Sequence, residues 1–297
     1  MASEARTAQQ IVAALHARGQ LTTDLSPVGV RPRLGEYTAQ LWERRHFIWM
    51  DAQHRAATSH SRNRLGNVWL FLKPLLEALM YWLIFDRILG VTRGMENFPA
   101  FIIIGVLMFR STMRSVASGP QTLRSGQAMI RAFTFPRAAL PISAEIRETL
   151  QMVIAIFVMM VMIIVVPKHE SPEWTWLLVP VVFAMQSVLN LGICFIMSRV
   201  GFVFPDTSQL MAFVARFLMY GSGVIFPVER FIDHPTAMFL IHLNPLYHML
   251  IMYRELLMDG VIPSADHWIT MGAWTAVLLI GGFIFFWRGE ATYGGER

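Results

Sequence analysis

The chain has 297 residues, of which 55% are hydrophobic and only 15% are charged. On the usual definition, which counts glycine and omits tyrosine, the apolar fraction is roughly 60%, against ~45–50% in soluble domains. A globular chain of 33.9 kDa could not hide that much apolar surface, because the buried fraction grows only slowly with chain length. The composition therefore excludes an ordinary soluble domain and predicts a chain that lies largely in lipid. The single cysteine, Cys194, excludes a disulfide framework and a cysteine-based metal site.

The first 36 residues are predicted to form a partly disordered extension, because they are polar and match no pattern of a folded element. No short apolar segment follows Met1, so no cleaved secretory signal is visible. We expect internal spans to insert the chain into the membrane.

An amphipathic interface helix is predicted over residues 37–60. Its apolar side chains recur at helical spacing opposite Arg44, Arg45 and Arg55, which is typical of a helix in the headgroup plane. Two tryptophans favour this interpretation over a soluble helix that packs on a partner. The apolar side chains are Leu41, Trp42, Ile48, Trp49, Ala52 and Ala56.

Six apolar stretches of about 20 residues follow, each long enough to cross a ~30 Å hydrocarbon core. They predict an all-α membrane protein with a six-span transmembrane domain over residues 68–290. The second stretch is the least regular, because Arg110 and Arg114 follow its apolar part, but long arginine side chains can reach an interface. The predicted spans cover residues 69–90, 98–119, 147–166, 174–197, 207–227 and 268–287.

The loop between the second and third spans is predicted to contain a short helix over residues 122–133. Apolar side chains on a charged loop suggest contact with another protein, and the alternative is that they fold back on the spans. The residues concerned are Thr122, Leu123, Arg124, Met129, Ile130, Arg131 and Phe133.

A second non-spanning segment, residues 228–260, is apolar enough to enter the membrane but is broken at Asn244 and Pro245. Proline removes a backbone donor and disfavours helix in the residue before it. We therefore expect two short helices joined by a turn, forming a re-entrant or interfacial pair.

The distribution of charge predicts the orientation of the six spans. The face shared by both termini and the connecting loops carries 18 arginines against 10 acidic residues, whereas the other face carries 5 basic and 9 acidic residues. The positive-inside rule places the arginine-rich face, and therefore both termini, in the cytoplasm. The net charge of +5 is thus a topology signal rather than evidence of nucleic-acid binding.

The sequence lacks two short motifs of common enzymes, a phosphate-binding loop and a zinc-binding helix motif. Neither lysine, Lys73 nor Lys168, belongs to a phosphate-binding loop, and His169 begins no zinc-binding helix motif. His242 and His248 flank the Asn-Pro break, but without a nearby third ligand they are expected to be interfacial residues rather than a metal site. We predict no catalytic residue and no metal or cofactor in this chain.

Charges inside the predicted spans are the default functional candidates of a membrane protein. Lys73 and Glu77 are four residues apart and are expected to pair on one helix face. The fifth span places Arg216 among aromatic rings. The rings could stack on sugars while the guanidinium binds a phosphate. The alternative is that these large side chains pack around one interhelical salt bridge. The candidate channel residues are Phe213, Arg216, Phe217 and Tyr220, with Tyr81, Trp82 and Phe85 on the first span as a weaker case.

Several landmarks together resemble the membrane subunits of type-2 ABC exporters, and most closely the Wzm-like permeases that export O-antigen, teichoic acid, capsule or cell-wall galactan. The resemblance covers about residues 37–290 and depends on the order and spacing of the landmarks. These are the entry helix, Leu65-Gly66, Gly105, Phe135-Pro136-Arg137, Leu140-Pro141, Leu243-Asn244-Pro245-Leu246, Arg254 and Gly260.

The resemblance implies a homodimer in the plasma membrane, bound to two copies of a separate ATPase subunit that carries ATP and magnesium. It implies that residues 122–133 are the coupling helix and that residues 234–257 lie at the extracellular exit. It also implies that lipid-linked polysaccharide passes between protomers along the first and fifth spans. One departure is that the turn after the fourth span has Pro205 before Asp206 where an arginine is common, with Arg199 as a conceivable substitute.

Three other functions remain open from the sequence. A type-2 permease for drugs or small lipids would share the fold. A membrane-embedded transferase acting on lipid-linked sugars would need clustered acidic or histidine groups, and the outer acids are scattered. An ion-coupled transporter would show an internal repeat with paired broken spans.

Overall fold

The computed structural model describes residues 32–58, 66, 68–88, 97–133, 135–165, 171–228 and 234–293, and the regular elements within these ranges are all helical. The predicted extension lies outside the described residues up to position 31. The eleven α-helices described are α1 (Leu34–Glu43), α2 (Arg45–Thr58), α3 (Val68–Trp82), α4 (Phe98–Ser125), α5 (Gln127–Ala132), α6 (Ala139–Val165), α7 (Val179–Val203), α8 (Thr207–Gly221), α9 (Pro235–His242), α10 (Pro245–Arg254) and α11 (Ala265–Arg288).

Several short helical segments extend these helices. A π-helix, Leu83–Ile88, continues α3, and a second, Glu255–Asp259, continues α10. A 3-10 helix, Trp174–Leu178, leads into α7, and another, Glu290–Thr292, follows α11.

Four helical stretches are long and apolar enough to cross a membrane: Phe98–Ala132, Ala139–Val165, Trp174–Val203 and Ala265–Arg288. They correspond to the second, third, fourth and sixth predicted spans. The helices at the first and fifth positions are present but have 15 residues each, or about 22 Å at 1.5 Å per residue.

The predicted fifth span, residues 207–227, is longer than the helix observed at that position. Helix α8 ends at Gly221 instead of continuing to residue 227. The chain leaves the helix through Gly223, whose φ of +68° lies in the left-handed region that glycine adopts without steric cost.

Helix α4 is the centre of the molecule. Of its most apolar 18-residue window, 78% is buried, and it packs against α3, α6, α7, α8 and α10. Because α4 is covered on several sides, its apolar residues face protein rather than a single interface.

The predicted interface helix is two helices, α1 and α2, separated by a turn at Arg44. Ile48 and Ala52 are buried, and α2 packs along α6. Trp42 and Trp49 remain exposed on the outer side of the pair. One face of the segment thus packs on the chain itself, while both tryptophans stay accessible at the edge of a groove that Ile142 and Ile146 of α6 also line.

The helices bring two groups of loops together at opposite ends of the bundle. The terminal face, as we call it, contains α1, α5, residues 135–138, residues 204–206 and Gly289–Tyr293. Side-chain contacts join α1, Arg137 and Gly289–Tyr293, and α5 packs into the same apolar cluster through Ile130. The opposite face contains Asn97, Trp174–Leu178, residues 222–228 and 234–267, which are also joined by hydrogen bonds.

Candidate functional site

One face of α8 exposes three aromatic rings and a guanidinium. Phe213, Phe217 and Tyr220 are exposed by 68%, 78% and 55%. The guanidinium carbon of Arg216, which is also exposed, lies 5.7 Å from the centre of the Phe213 ring. The four side chains share one face, as their spacing predicts. Within the described ranges the contact of Arg216 is this ring on its own helix, and not an acidic residue on another helix.

The aromatic residues on the first helix have a different environment. Tyr81 and Trp82 are half-buried and pack against the main hydrophobic core, while the side chain of Phe85 lies outside the described residues. Helix α3 packs on α4 and α6, whereas α8 packs on α4 and α7. Among the side chains that the structure describes, the two predicted groups therefore do not form one continuous surface within a single chain.

The predicted pairing of Lys73 with Glu77 is wrong. In the described part of the chain, the carboxylate of Glu77 forms an ion pair with Arg110 on α4. Packing of α3 against α4 brings the guanidinium to Glu77, and its planar fork matches a carboxylate better than the ammonium of Lys73 does. The second span thus contributes Arg110 to an interhelical contact.

The predicted single helix over residues 122–133 is also wrong. Helix α4 continues to Ser125, Gly126 interrupts it, and α5 covers only Gln127–Ala132. Thr122 therefore belongs to the last turn of α4, where its hydroxyl bonds to the backbone of Ser118.

Most of the apolar side chains of this segment pack against the chain itself. This agrees with the alternative that they fold back on the spans instead of contacting another protein. Leu123 and Ile130 are buried, and Met129 packs against the same cluster. Arg124 donates a hydrogen bond to the carbonyl of Gly201, 3.1 Å away. Arg131 and Phe133, in contrast, are exposed, Phe133 by 68%. Of the residues predicted to contact a partner, these two are the ones whose side chains are exposed.

Glu290 fixes the loop that follows α5. Its Oε2 accepts a hydrogen bond from Tyr37 Oη at 2.7 Å, and its Oε1 accepts one from the backbone nitrogen of Arg137 at 2.9 Å. The Arg137 guanidinium donates to the carbonyl of Glu290, and Ala138 N donates to Tyr37 Oη at 3.0 Å. This Glu290 cluster joins α1, the loop and the chain end.

The environment of Glu290 disfavours its charged form. Burial raises the pKa of Glu290, and the hydrogen bonds from Arg137 and Tyr37 oppose that effect only in part. Nothing in the sequence signalled this cluster, because its members lie in three segments far apart along the chain.

Arg199, the conceivable substitute for the missing arginine, contacts another helix. Arg199 donates to the carbonyl of Phe285 on α11 and stacks over the ring of that residue, with 4.2 Å from its guanidinium carbon to the ring centre. Asp206 stands at the start of α8, where its carbonyl accepts a backbone hydrogen bond from Gln209. Arg199 therefore does not replace the partner of Asp206.

The break at Asn244 and Pro245 lies between α9 and α10, where the sequence predicts it. Asn244 caps α10 by accepting a hydrogen bond from the nitrogen of Leu246 at 3.0 Å, and its amide donates to Ser222 at 2.8 Å. The two helices differ in environment. Most of α10 is buried in the main core, whereas α9 is largely exposed, so α10 is a core element and not an interfacial one.

Arg254, at the end of α10, is buried deep in the opposite face. Its guanidinium carbon lies 3.4 Å from the centre of the Phe101 ring. One guanidinium nitrogen donates to the carbonyl of Val224 at 3.1 Å. A Cβ at Gly105 would lie 2.7 Å from that nitrogen and 2.5 Å from the Val224 oxygen. Glycine at position 105 is thus required by the approach of Arg254 and the Val224 backbone.

A cavity of about 280 Å³ adjoins this arginine, with Phe101, Arg254 and Glu255 in its wall. In the core of the bundle, Gln186 on α7 donates a hydrogen bond to Met108 O at 2.9 Å and accepts one from Tyr253 Oη at 2.9 Å. This polar network ties α10 to the centre of the bundle. The sequence offered no periodic signal for Gln186, because a single glutamine in an apolar helix is compatible with many partners.

The histidines near the break are arranged differently from the expectation. His248 is buried, and its Nε2 lies 2.7 Å from the carbonyl of His242. Its Nδ1 lies 2.7 Å from the Nδ1 of His267 on α11, next to Asp266. The ring of His242 lies near that of His248, with 6.2 Å between the ring centres, but the ring nitrogen that pairs with His248 Nδ1 belongs to a residue 19 positions away.

Comparison with known proteins gives a family match over most of the chain. The profile described as "ABC-2 type transporter" matches residues 52–258. This region begins within α2, ends in the π-helix after α10, and includes the α8 face, the α5 segment and Arg254.

Curated relatives are similar over most of their length. The chain is 23% identical to the "O-antigen export system permease protein RfbA" of Myxococcus xanthus, covering 81% of this chain and 91% of the relative. It is 25% identical to a protein of the same name from Klebsiella pneumoniae, covering 77% and 83%. It is 24% identical to the "Polysialic acid transport protein KpsM" of Escherichia coli, covering 79% and 90%.

Proposed function

The chain belongs to the ABC-2 type transporter family, and from this premise we propose that it is the membrane subunit of an ATP-driven polysaccharide exporter. Relatives whose names specify export of O-antigen and transport of polysialic acid support this substrate class. The substrate is lipid-linked polysaccharide, which moves outward from the cytoplasm across the plasma membrane. A permease for drugs or small lipids is less favoured, since the relatives reported above carry polysaccharide names.

The observation that carries the proposal is the exposed face of α8. Phe213, Phe217 and Tyr220 offer flat rings to the apolar faces of sugars, and Arg216 offers a guanidinium to phosphate or hydroxyl groups. If the three rings contacted only lipid, the charge of Arg216 among them would have an energetic cost in the membrane and no compensating role. A polymer of sugars attached to a diphosphate matches both chemistries.

The channel forms between two copies of this chain. In the proposed homodimer, α8 of one protomer faces the first span of its partner, so the channel has aromatic walls from both. The two 15-residue helices, α3 and α8, are the first and fifth of six spans. Helix α8 ends after 15 residues and gains shielding when it lines a shared interior, whereas the π-helix Leu83–Ile88 extends α3.

Energy comes from a separate ATPase subunit that binds ATP and magnesium, present in two copies. Its contact on this chain is the exposed part of α5 and the residue after it, Arg131 and Phe133. The Glu290 cluster holds the following loop against α1 and the chain end, so a push on α5 is transmitted to α4 and α11. Both termini and α5 lie on the cytoplasmic side, in keeping with the arginine excess there.

Depletion of the protein in its own cell tests the proposed function. We expect lipid-linked polysaccharide to accumulate in the cytoplasmic leaflet and the surface polymer to decrease, while polymer synthesis continues. Expression of the wild-type chain should restore export. If the surface polymer stays normal and efflux of drugs or small lipids falls instead, the substrate class is wrong.

A further inference from the structure

His248 is held in one tautomer by its backbone neighbour. A carbonyl oxygen can only accept a hydrogen bond, so the Nε2 of His248, 2.7 Å from His242 O, carries the hydrogen. The Nδ1 atom of His248 is then the ring nitrogen that faces the other residues of the group. This is the arrangement found in metal-binding histidines, where a hydrogen bond from the second ring nitrogen to a carbonyl fixes the ring and the tautomer.

The Nδ1 atom of His248 points at two other potential ligands. Nδ1 of His267 lies 2.7 Å away, and the carboxylate of Asp266 completes a group whose ligand atoms all lie within 4.8 Å of one another. His248 is buried, His267 is half-buried and Asp266 is exposed. The group therefore extends from the protein interior to the surface, which leaves an entry path for an ion.

We propose that His248, Asp266 and His267 bind one divalent transition-metal ion of the zinc class at the opposite face. Two imidazole nitrogens and a carboxylate are a borderline donor set, which suits zinc better than calcium or magnesium. The fourth position of a tetrahedral site would be filled by water or by an oxygen of a ligand. Nothing in the sequence predicted this site, since it forms only when α10 packs beside the start of α11.

Binding requires a small, definable rearrangement. Two nitrogens that share a tetrahedral zinc ion at ~2.0–2.1 Å are roughly 3.3 Å apart, so the two rings must separate by roughly 0.6 Å. Coordination of both rings through Nδ1 also requires that the hydrogen between them is carried by Nε2 of His267. This is a change of tautomer, so the site needs no net gain or loss of a proton.

The ion would connect two helices that already pack against each other. His248 lies on α10, which also carries Arg254 and Tyr253 in the core, while Asp266 and His267 begin the last long helix. A bound ion would fix α10 relative to α11. Movement at this face, as opening of an exit would demand, would then depend on whether the ion is bound.

Metal titration of the full-length protein tests this site. The protein, purified in detergent with an affinity tag that lacks histidine and stripped with EDTA, is titrated with Co²⁺ and then with Zn²⁺. We expect one ion per chain, a visible d–d absorption band with Co²⁺, and loss of that band as Zn²⁺ displaces it. Zn²⁺ should also raise the midpoint of thermal unfolding.

Variants separate the ligands from their surroundings. His267→Asn and Asp266→Asn lie at or near the surface and should weaken binding by more than about tenfold. His242→Ala is the matched control, because it removes a nearby imidazole but keeps the carbonyl that orients His248. Less than about one ion per ten chains, or equal binding by His267→Asn and wild type, would show that the two rings form only a hydrogen bond. These readouts do not depend on the transported substrate, so they remain valid if the proposed function fails.

Discussion

The guanidinium of Arg254 occupies the space that a side chain at position 105 would need, so Gly105 and Arg254 form one packing unit between α4 and α10. The unit also includes the carbonyl of Val224, 3.1 Å from Arg254 Nη2. A landmark glycine in one span and a landmark arginine far along the chain, both noted in the sequence for their family resemblance, thus have a single structural explanation.

Gly105→Ala should lower the free energy of unfolding by about 1–3 kcal/mol, because the added methyl would displace backbone atoms at Val224 as well as Arg254. Chemical denaturation in detergent measures the change. Gly281→Ala is the control, since it lies inside α11 with no atom within 4 Å of the added Cβ. Equal stability of the two variants would contradict the packing unit.

A double-mutant cycle should assign the partner of Glu77. We expect Glu77→Gln and Arg110→Gln to show a coupling energy of about 1 kcal/mol, because the structure pairs these side chains directly. The parallel cycle with Lys73→Gln should give a value near zero. A larger coupling to Lys73 would restore the pairing that the i,i+4 spacing suggested.

Replacement of the three α8 rings should block transport without unfolding the protein. Each ring contact contributes about 0.5–1.5 kcal/mol, so the triple variant Phe213→Ala, Phe217→Ala and Tyr220→Ala should reduce export by about tenfold or more while ATPase activity persists. The triple variant Ile269→Ala, Val277→Ala and Ile280→Ala is the control, since these residues of α11 are exposed to a similar degree. Similar export in both triple variants would return the α8 rings to a lipid-facing role.

Charge reversal on α5 should separate the subunits. Arg131→Asp combined with Phe133→Asp should weaken ATPase binding by about tenfold or more, with normal amounts of the chain in the membrane. Co-purification of the ATPase measures this effect. Arg288→Asp makes the same charge reversal as Arg131→Asp, at the end of the last span, and should retain the ATPase. Full retention by the α5 variant would rule out this surface as the contact.

The Glu290 cluster should become more stable as the pH falls. Because burial raises the pKa of Glu290 above its ordinary value of 4.5, the closed cluster binds a proton between these two pKa values and the opened cluster does not. Lowering the pH through that window should therefore stabilise the wild type relative to Glu290→Gln, which cannot titrate. Hydrogen exchange of α1 across this pH range measures the difference. A difference that is independent of pH would mean that Glu290 has an ordinary pKa.

The sequence by itself determined the helical class, the approximate positions of the helices and the break at Asn244. These properties are local, because a 20-residue apolar run, a proline and a capping asparagine act through the backbone of their own segment. The shared face of Phe213, Phe217 and Tyr220 is local for the same reason, since helical spacing alone places residues three and four apart on one side.

Only the tertiary structure decided which partners the polar and apolar groups choose. Glu77 bonds to Arg110 instead of Lys73, Leu123 and Ile130 turn inward, and His248 meets His267. Each outcome depends on which helix packs alongside, and apolar helices of similar composition can pack against one another in many arrangements. When most spans of a chain are similarly apolar, the sequence indicates where the helices lie. Close packing and buried hydrogen bonds then determine which helices become neighbours.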